Sequence, residues 1–95
     1  MTVTLADIRA ARHRIAGHIA ETPVVRDDAL SDEFGLPVLL KCEYRQATGA
    51  FKLRGATNAI PTRDVSRGVV TASTGNHGRA VAHAAQRLGV SATVC

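Results

Sequence analysis

The run Val69–Cys95, VVTASTGNHGRAVAHAAQRLGVSATVC, constrains the fold of this chain more than any other part of it. Val69–Ser73 reads as a strand, apolar at first and polar at its end. TGNHG is a turn. From about His77 to Leu88 the apolar residues recur at helical spacing, and Gly89 follows as a C-terminal stop. SATVC opens another strand. A strand, a helix and a strand in that order imply a parallel pair, because parallel neighbours need a crossover between them. A parallel sheet must be covered on both faces. The chain has too few helices for that, so residues 1–95 are expected to be the N-terminal portion of a longer chain.

The rest of the chain reads as α/β. Thr4 followed by Asp7 has the form of a capping box. Leu5, Ile8, Ala11, Ile15 and Ile19 then recur on one face, and Arg12 falls on that stripe, where it must snorkel or find a partner. The helix is expected to run to Thr22-Pro23 despite Gly17. A short helical piece spans Asp28 to Glu33 and closes at Gly35. Val38–Glu43 reads as a strand, YRQATGA as a loop, Lys52 to about Ile60 as a helix and Pro61 to Gly68 as a polar connection.

Composition excludes several classes. At 45% hydrophobic the chain is globular, not disordered. With 3% aromatic residues and no Trp it lacks the stacking platforms of single-strand binders. Its net charge of +4 admits nucleic acid or anionic metabolites as partners, but the cations are scattered. GNHG matches the loop of a KH module by letters only, since it follows a strand here. Cys42 and Cys95 form no metal or disulfide pattern and read as buried thiols. The four histidines, His13, His18, His77 and His83, have no metal-binding spacing, and no metal is expected. There is no signal peptide or membrane-spanning run at the start or elsewhere, so a cytoplasmic protein without membrane partners is expected.

Two stretches could carry chemistry. In TGAFKLRGATNA, Lys52 stands between Phe51 and Leu53, with Arg54 beyond. A lysine is nucleophilic when desolvation or a neighbouring cation disfavours its ammonium form, and it can then condense with an aldehyde. The same residues also suit a snorkelling surface lysine. In STGNHG, Ser73 to Gly78, a strand ends and a helix begins, which is where open α/β sheets bind ligands. Gly75 and Gly78 would allow close backbone approach, the helix start favours an anion, and Ser73, Thr74 and Asn76 add polar groups. The alternative is a turn whose hydroxyl merely caps the helix. No GxxxxGK[ST] or GxGxxG motif is present.

Together the two stretches resemble the TGSFKxRGA and SxGNHA/G segments of fold type II pyridoxal-phosphate enzymes, the tryptophan-synthase-β-like group. Ile19–Pro23 and LLKCEYRQATG are similar to the same family's opening. The resemblance extends over nearly the whole chain, and within the family it points to threonine/serine dehydratases and serine racemases. TASTGNHGRAVAHAA also resembles dehydratases of hydroxyectoine utilisation. The resemblance implies a three-layer fold with a parallel sheet and pyridoxal 5'-phosphate as cofactor. It places Lys52 as the lysine that holds the cofactor covalently and takes the Cα proton, with Phe51 packed near the cofactor. Asn76 would bond the pyridine 3-hydroxyl oxygen, and Ser73, Thr74, Gly75 and His77 would form the substrate-carboxylate loop. The implied reaction is dehydration and deamination of a 3-hydroxy amino acid to a 2-oxo acid and ammonia. The implied assembly is a homo-oligomer of the full-length protein. Ala50 stands where the family has serine. Thr74 stands where racemases carry the serine that acts as second acid/base. The glycine-rich phosphate loop, the residue facing the pyridine nitrogen and any cation site would lie beyond Cys95. A racemase, a catalytically silent relative and a nucleic-acid-binding module are the competing readings.

Overall fold

A computed structural model describes residues 1–95. The chain runs α1 (Leu5–Ile15), β1 (Val24–Asp27), α2 (Asp28–Phe34), β2 (Val38–Lys41), α3 (Lys52–Ala59), β3 (Val69–Thr71), α4 (Asn76–Leu88) and β4 (Ala92–Val94), with single 3-10 turns at Glu43–Arg45 and Ile60–Thr62. Its strands form two separate two-stranded ribbons. β1 and β2 are antiparallel, with Val24 opposite Lys41 and Asp27 opposite Val38. β3 and β4 are parallel, with Val69 opposite Ala92 and Thr71 opposite Val94, as the strand–helix–strand pattern requires.

Local chemistry accounts for most of the boundaries. The capping box forms: Asp7 N–H donates to Thr4 Oγ1 at 3.2 Å and Thr4 N–H donates to Asp7 Oδ2 at 2.8 Å. The Thr4 hydroxyl also donates to Asp7 Oδ2 at 2.6 Å, and this bond, with that of the Thr4 N–H, holds the Asp7 carboxyl below the usual aspartate range. Asp27 caps α2 by accepting from Leu30 N–H at 2.9 Å, and Gly35 ends that helix in the left-handed region at φ 66°. The buried Ser31 hydroxyl donates to Asp27 O and accepts from Val38 N–H at 2.9 Å, which joins α2 to the start of β2.

Several expectations are corrected. α1 stops at Ile15, not at Thr22, because Gly17 adopts φ +77° and breaks the helix; Ile19 is therefore off the stripe. Leu5 and Ile8 on that stripe remain exposed, and only Ile15 is buried. Val24 and Val25 belong to a strand that the residue pattern did not announce, while β2 and β3 end two residues early, at Lys41 and Thr71. Cys42 is buried as expected, but Cys95 is exposed.

The core is the seam between α3 and α4. Leu53, Ala56 and Ile60 pack against Ala80, Val81 and Ala84, with Ile19, Val65 and Val69 at the edges. Leu53 is fully buried, which is worth about 1.5–3 kcal/mol for a leucine side chain. The alanines of α4 let the two helices approach closely. Gly78 extends that closeness to the sheet: a Cβ there would lie 2.7 Å from Val94 Cγ1 and 3.3 Å from Ser73 Cβ. No helix of the chain is long and apolar enough to cross a membrane.

Candidate functional site

Lys52 is the first residue of α3, and Phe51 precedes it as the helix N-cap without any side-chain capping bond. Both are exposed, and the Lys52 ammonium lies 5.7 Å from the centroid of the Phe51 ring. Leu53 turns the other way, into the core. The helix thus buries its second residue and presents its first. The turn before it is fixed by Gly49, which takes φ +76° and donates its N–H to Gln46 O at 2.8 Å. Thr48 in that turn is buried, and its hydroxyl has no partner.

The STGNHG stretch leaves the carboxyl end of the parallel ribbon. Cys95 N–H donates to Thr71 O at 2.9 Å and Ser73 N–H to Cys95 O at 3.0 Å, so pairing reaches beyond β3 into the loop. Ser73 Oγ accepts from Gly75 N–H at 3.2 Å. Gly75 is the N-cap of α4, and no side chain caps the helix. The first amides of a helix have no intrahelical partner, so this uncapped start leaves donors available to a ligand. The merely structural alternative, a Ser or Thr side chain capping α4, does not occur. Thr74, Gly75, Asn76 and His77 are exposed and Ser73 is half-buried. Of the two glycines, only Gly78 differs from expectation. A Cβ on Gly75 meets nothing within 4 Å, whereas Gly78 is buried and its missing side chain admits Val94, not a ligand.

The fold brings the two stretches to one end of the helix pair. Arg79, in the first turn of α4, donates from Nη1 to Thr48 O at 3.4 Å, in the turn before Phe51. At the other end, Thr57 and Pro61 share a cavity with Ala84, Arg87 and Leu88. α3 and α4 therefore run side by side in the same direction, with Lys52 and Asn76 at matching ends.

Arg54 does not act as the neighbouring cation suggested for Lys52. Its guanidinium is paired with Glu43 through Nε and Oε1, and Nη2 donates to Glu21 O at 3.0 Å and Ala20 O at 3.3 Å. Glu43 also accepts from Gln46 Nε2 at 2.7 Å. Gln46 is buried and binds Ala20 in both directions, accepting from its N–H at 3.0 Å and donating to its carbonyl at 2.7 Å. Burial pushes the Glu43 carboxyl up, but the bonds from Arg54 and Gln46 and the charges of Arg54 and Lys41 outweigh it and hold it below the usual glutamate range. Sequence reasoning missed this network. The signal for it was a glutamate and a glutamine in the loop immediately before a lysine-bearing helix. The chain's two lysines also differ: Lys41 Nζ is tied to the carbonyls of Glu21 and Thr22, the latter at 2.8 Å, while Lys52 makes no hydrogen bond.

Comparison with known proteins gives one consistent answer. The family model described as pyridoxal-phosphate dependent enzyme matches residues 15–95. A serine racemase of Dictyostelium discoideum is 47% identical over 90% of this chain and 27% of its own length. An L-threonine ammonia-lyase of Geobacter sulfurreducens is 41% identical over 92% of this chain and 22% of its own. The structure of maize serine racemase superposes with a TM-score of 0.90 at 42% identity, covering 99% of this chain and 30% of that one. The chain thus spans under a third of the length of these relatives.

Proposed function

Since the chain belongs to the pyridoxal-phosphate-dependent enzyme family, with the fold type II architecture of its structural neighbours, we propose that residues 1–95 are the N-terminal portion of an enzyme that eliminates water from a 3-hydroxy amino acid, after which water hydrolyses the resulting imine to a 2-oxo acid and ammonia. The cofactor is pyridoxal 5'-phosphate, as throughout the family. The observation that carries the reading is an unbonded, exposed Lys52 at the same end of the helix pair as the uncapped start of α4.

The residues present fit the cofactor's chemistry. An amine free of hydrogen bonds suits an aldehyde, and the exposed Phe51 ring offers an apolar surface beside it. The unpartnered Thr48 hydroxyl leaves a polar group unsatisfied in the adjoining turn. Bound pyridoxal phosphate supplies an electron sink for the electrons released at the substrate Cα. Lys52 Nζ would hold the cofactor and, once displaced by the substrate amine, accept the Cα proton. Phe51 would pack beside the ring. Asn76 would hold the ring's 3-hydroxyl oxygen through its carboxamide. The α4 amides, with Ser73, Thr74, Gly75 and His77, would fix the substrate carboxylate and so orient the Cα–H bond. Positioning of this kind accounts for several kcal/mol of barrier lowering in general.

Racemisation is the second reading, and the serine racemase relatives favour it. Thr74 weighs against it: its hydroxyl sits on a branched carbon at the position where a serine would serve as second acid/base. The deciding experiment measures ammonia and 2-oxo acid release by the full-length protein from a panel of 3-hydroxy amino acids, alongside serine racemisation. The panel also tests the narrower hydroxyectoine-utilisation branch. Elimination is expected to dominate and to survive Thr74→Ala. Racemisation that outpaces elimination and depends on Thr74 would establish the racemase instead. An amino-acid substrate and a homo-oligomeric, cytoplasmic enzyme complete the proposal.

A further inference from the structure

α3 has no local device to hold its start. Its N-cap is Phe51, which has no hydrogen-bonding side chain, and no acidic residue stands in its first turn. Helix starts are ordinarily fixed by just such groups. Here the first turn is held from a distance. Arg54, two residues after Lys52, reaches the loop after α1 through the carbonyls of Ala20 and Glu21, and the turn after β2 through Glu43. Glu43 is held in turn by Gln46, and Gln46 is bonded twice to Ala20. The network closes on itself: Arg54, Glu43, Gln46 and Ala20 each bind two of the others or their backbone. The Arg54 side chain is 30% exposed and that of Glu43 18%, so the pair is substantially shielded from water.

We propose that Glu43, Gln46 and Arg54 form a clamp that positions Lys52, fixing where α3 begins so that the amine projects toward the start of α4. The inference rests on the reading of Lys52 as the cofactor-holding lysine and adds positioning residues to it. A guanidinium is required, because its fork bonds a carboxylate and two carbonyls at once, and an ammonium on a flexible stem cannot hold that geometry. A clamp and a purely stabilising ion pair make different predictions. Removing one partner of a shielded pair leaves an unpaired charge and destabilises, whereas replacing both by apolar groups restores much of the stability. Replacing both does not restore the bonds to Ala20 and Glu21.

The test uses the full-length holoenzyme with Glu43→Leu, Arg54→Met, the double variant and Arg54→Lys. Melting temperature, kcat, KM and hydrogen exchange of the α3 first-turn amides are measured for each, with borohydride reduction and peptide mapping on the wild type. The clamp predicts that the double variant regains most of the melting temperature lost by either single one, while kcat stays lower by about tenfold or more. KM is expected to change little, and the α3 amides to remain fast-exchanging. Arg54→Lys is expected to keep most of the stability and still lose turnover. If kcat follows melting temperature through the series, or Arg54→Lys turns over like wild type, the clamp is overturned while Lys52 stands. If the wild-type label falls on another lysine, the reading of Lys52 itself is overturned.

Discussion

The starts of α3 and α4 lie at the same end of one helix pair and are built in opposite ways. α3 is tied to two other segments, the loop after α1 and the turn after β2, through Arg54, Glu43 and Gln46. α4 has no capping side chain, and its loop is held by the Gly75–Ser73 bond, by Arg79 and by the ladder to Cys95. The difference suits the two tasks proposed for Lys52 and for the α4 amides. An amine that must be found in one place benefits from a rigid seat. A loop that must close its amides around an anion benefits from having left those amides unspent.

On the proposed reading Lys52 holds the cofactor, so Lys52→Ala should lower turnover of the full-length enzyme by more than about a thousandfold. The visible absorbance of the bound cofactor should be lost with it. Asn76→Ala, on the α4 side, should lower turnover by about tenfold to a hundredfold while Lys52 still captures the cofactor. Kinetics paired with absorbance separates the two. If Asn76→Ala also abolished capture, the division of labour between the two helix starts would fail.

Stability should divide within the α4 start itself. Gly78→Ala forces a Cβ to within 2.7 Å of Val94 Cγ1 and should destabilise by about 1–3 kcal/mol. Gly75→Ala meets open space and should stay within about 0.5 kcal/mol. Denaturant melts of the two variants compare them directly, and equal losses would show that Gly75 is as closely packed as Gly78.

Acid should weaken the clamp. The folded state holds the Glu43 carboxyl below its unfolded value, so its stabilisation is complete above the ordinary glutamate range and is lost as pH falls through the lower folded value. Glu43→Gln should therefore be the less stable protein at neutral pH and converge on wild type in acid. Melting temperatures across an acid titration check this, and a constant gap would contradict it.

The sequence disclosed the parts of this molecule that rest on local rules. Thr4 and Asp7, Gly35, Gly89 and the α4 periodicity each act within a few residues, and each appears where the pattern put it. The parallel pairing of β3 and β4 was legible because a crossover helix leaves little choice. What escaped was nonlocal. Gln46 reads as a polar loop residue, yet it is buried because Ala20 offers it both a donor and an acceptor. Arg54 reads as a cation beside Lys52, yet Glu43 neutralises it. Gly78 reads as room for a ligand, yet Val94 occupies that room. The α1 stripe gave the opposite error: its spacing promised burial that Leu5 and Ile8 do not find within these residues.

The central claim is that Lys52, and not the carbonyl-bound Lys41, is the amine that holds the cofactor. Borohydride reduction of the full-length protein with pyridoxal phosphate, followed by peptide mapping, tests it directly. The account predicts a pyridoxyl label on the peptide containing AFKLR and none on Lys41. A label on Lys41 or on any lysine outside this chain, with Lys52 unmodified, would contradict it.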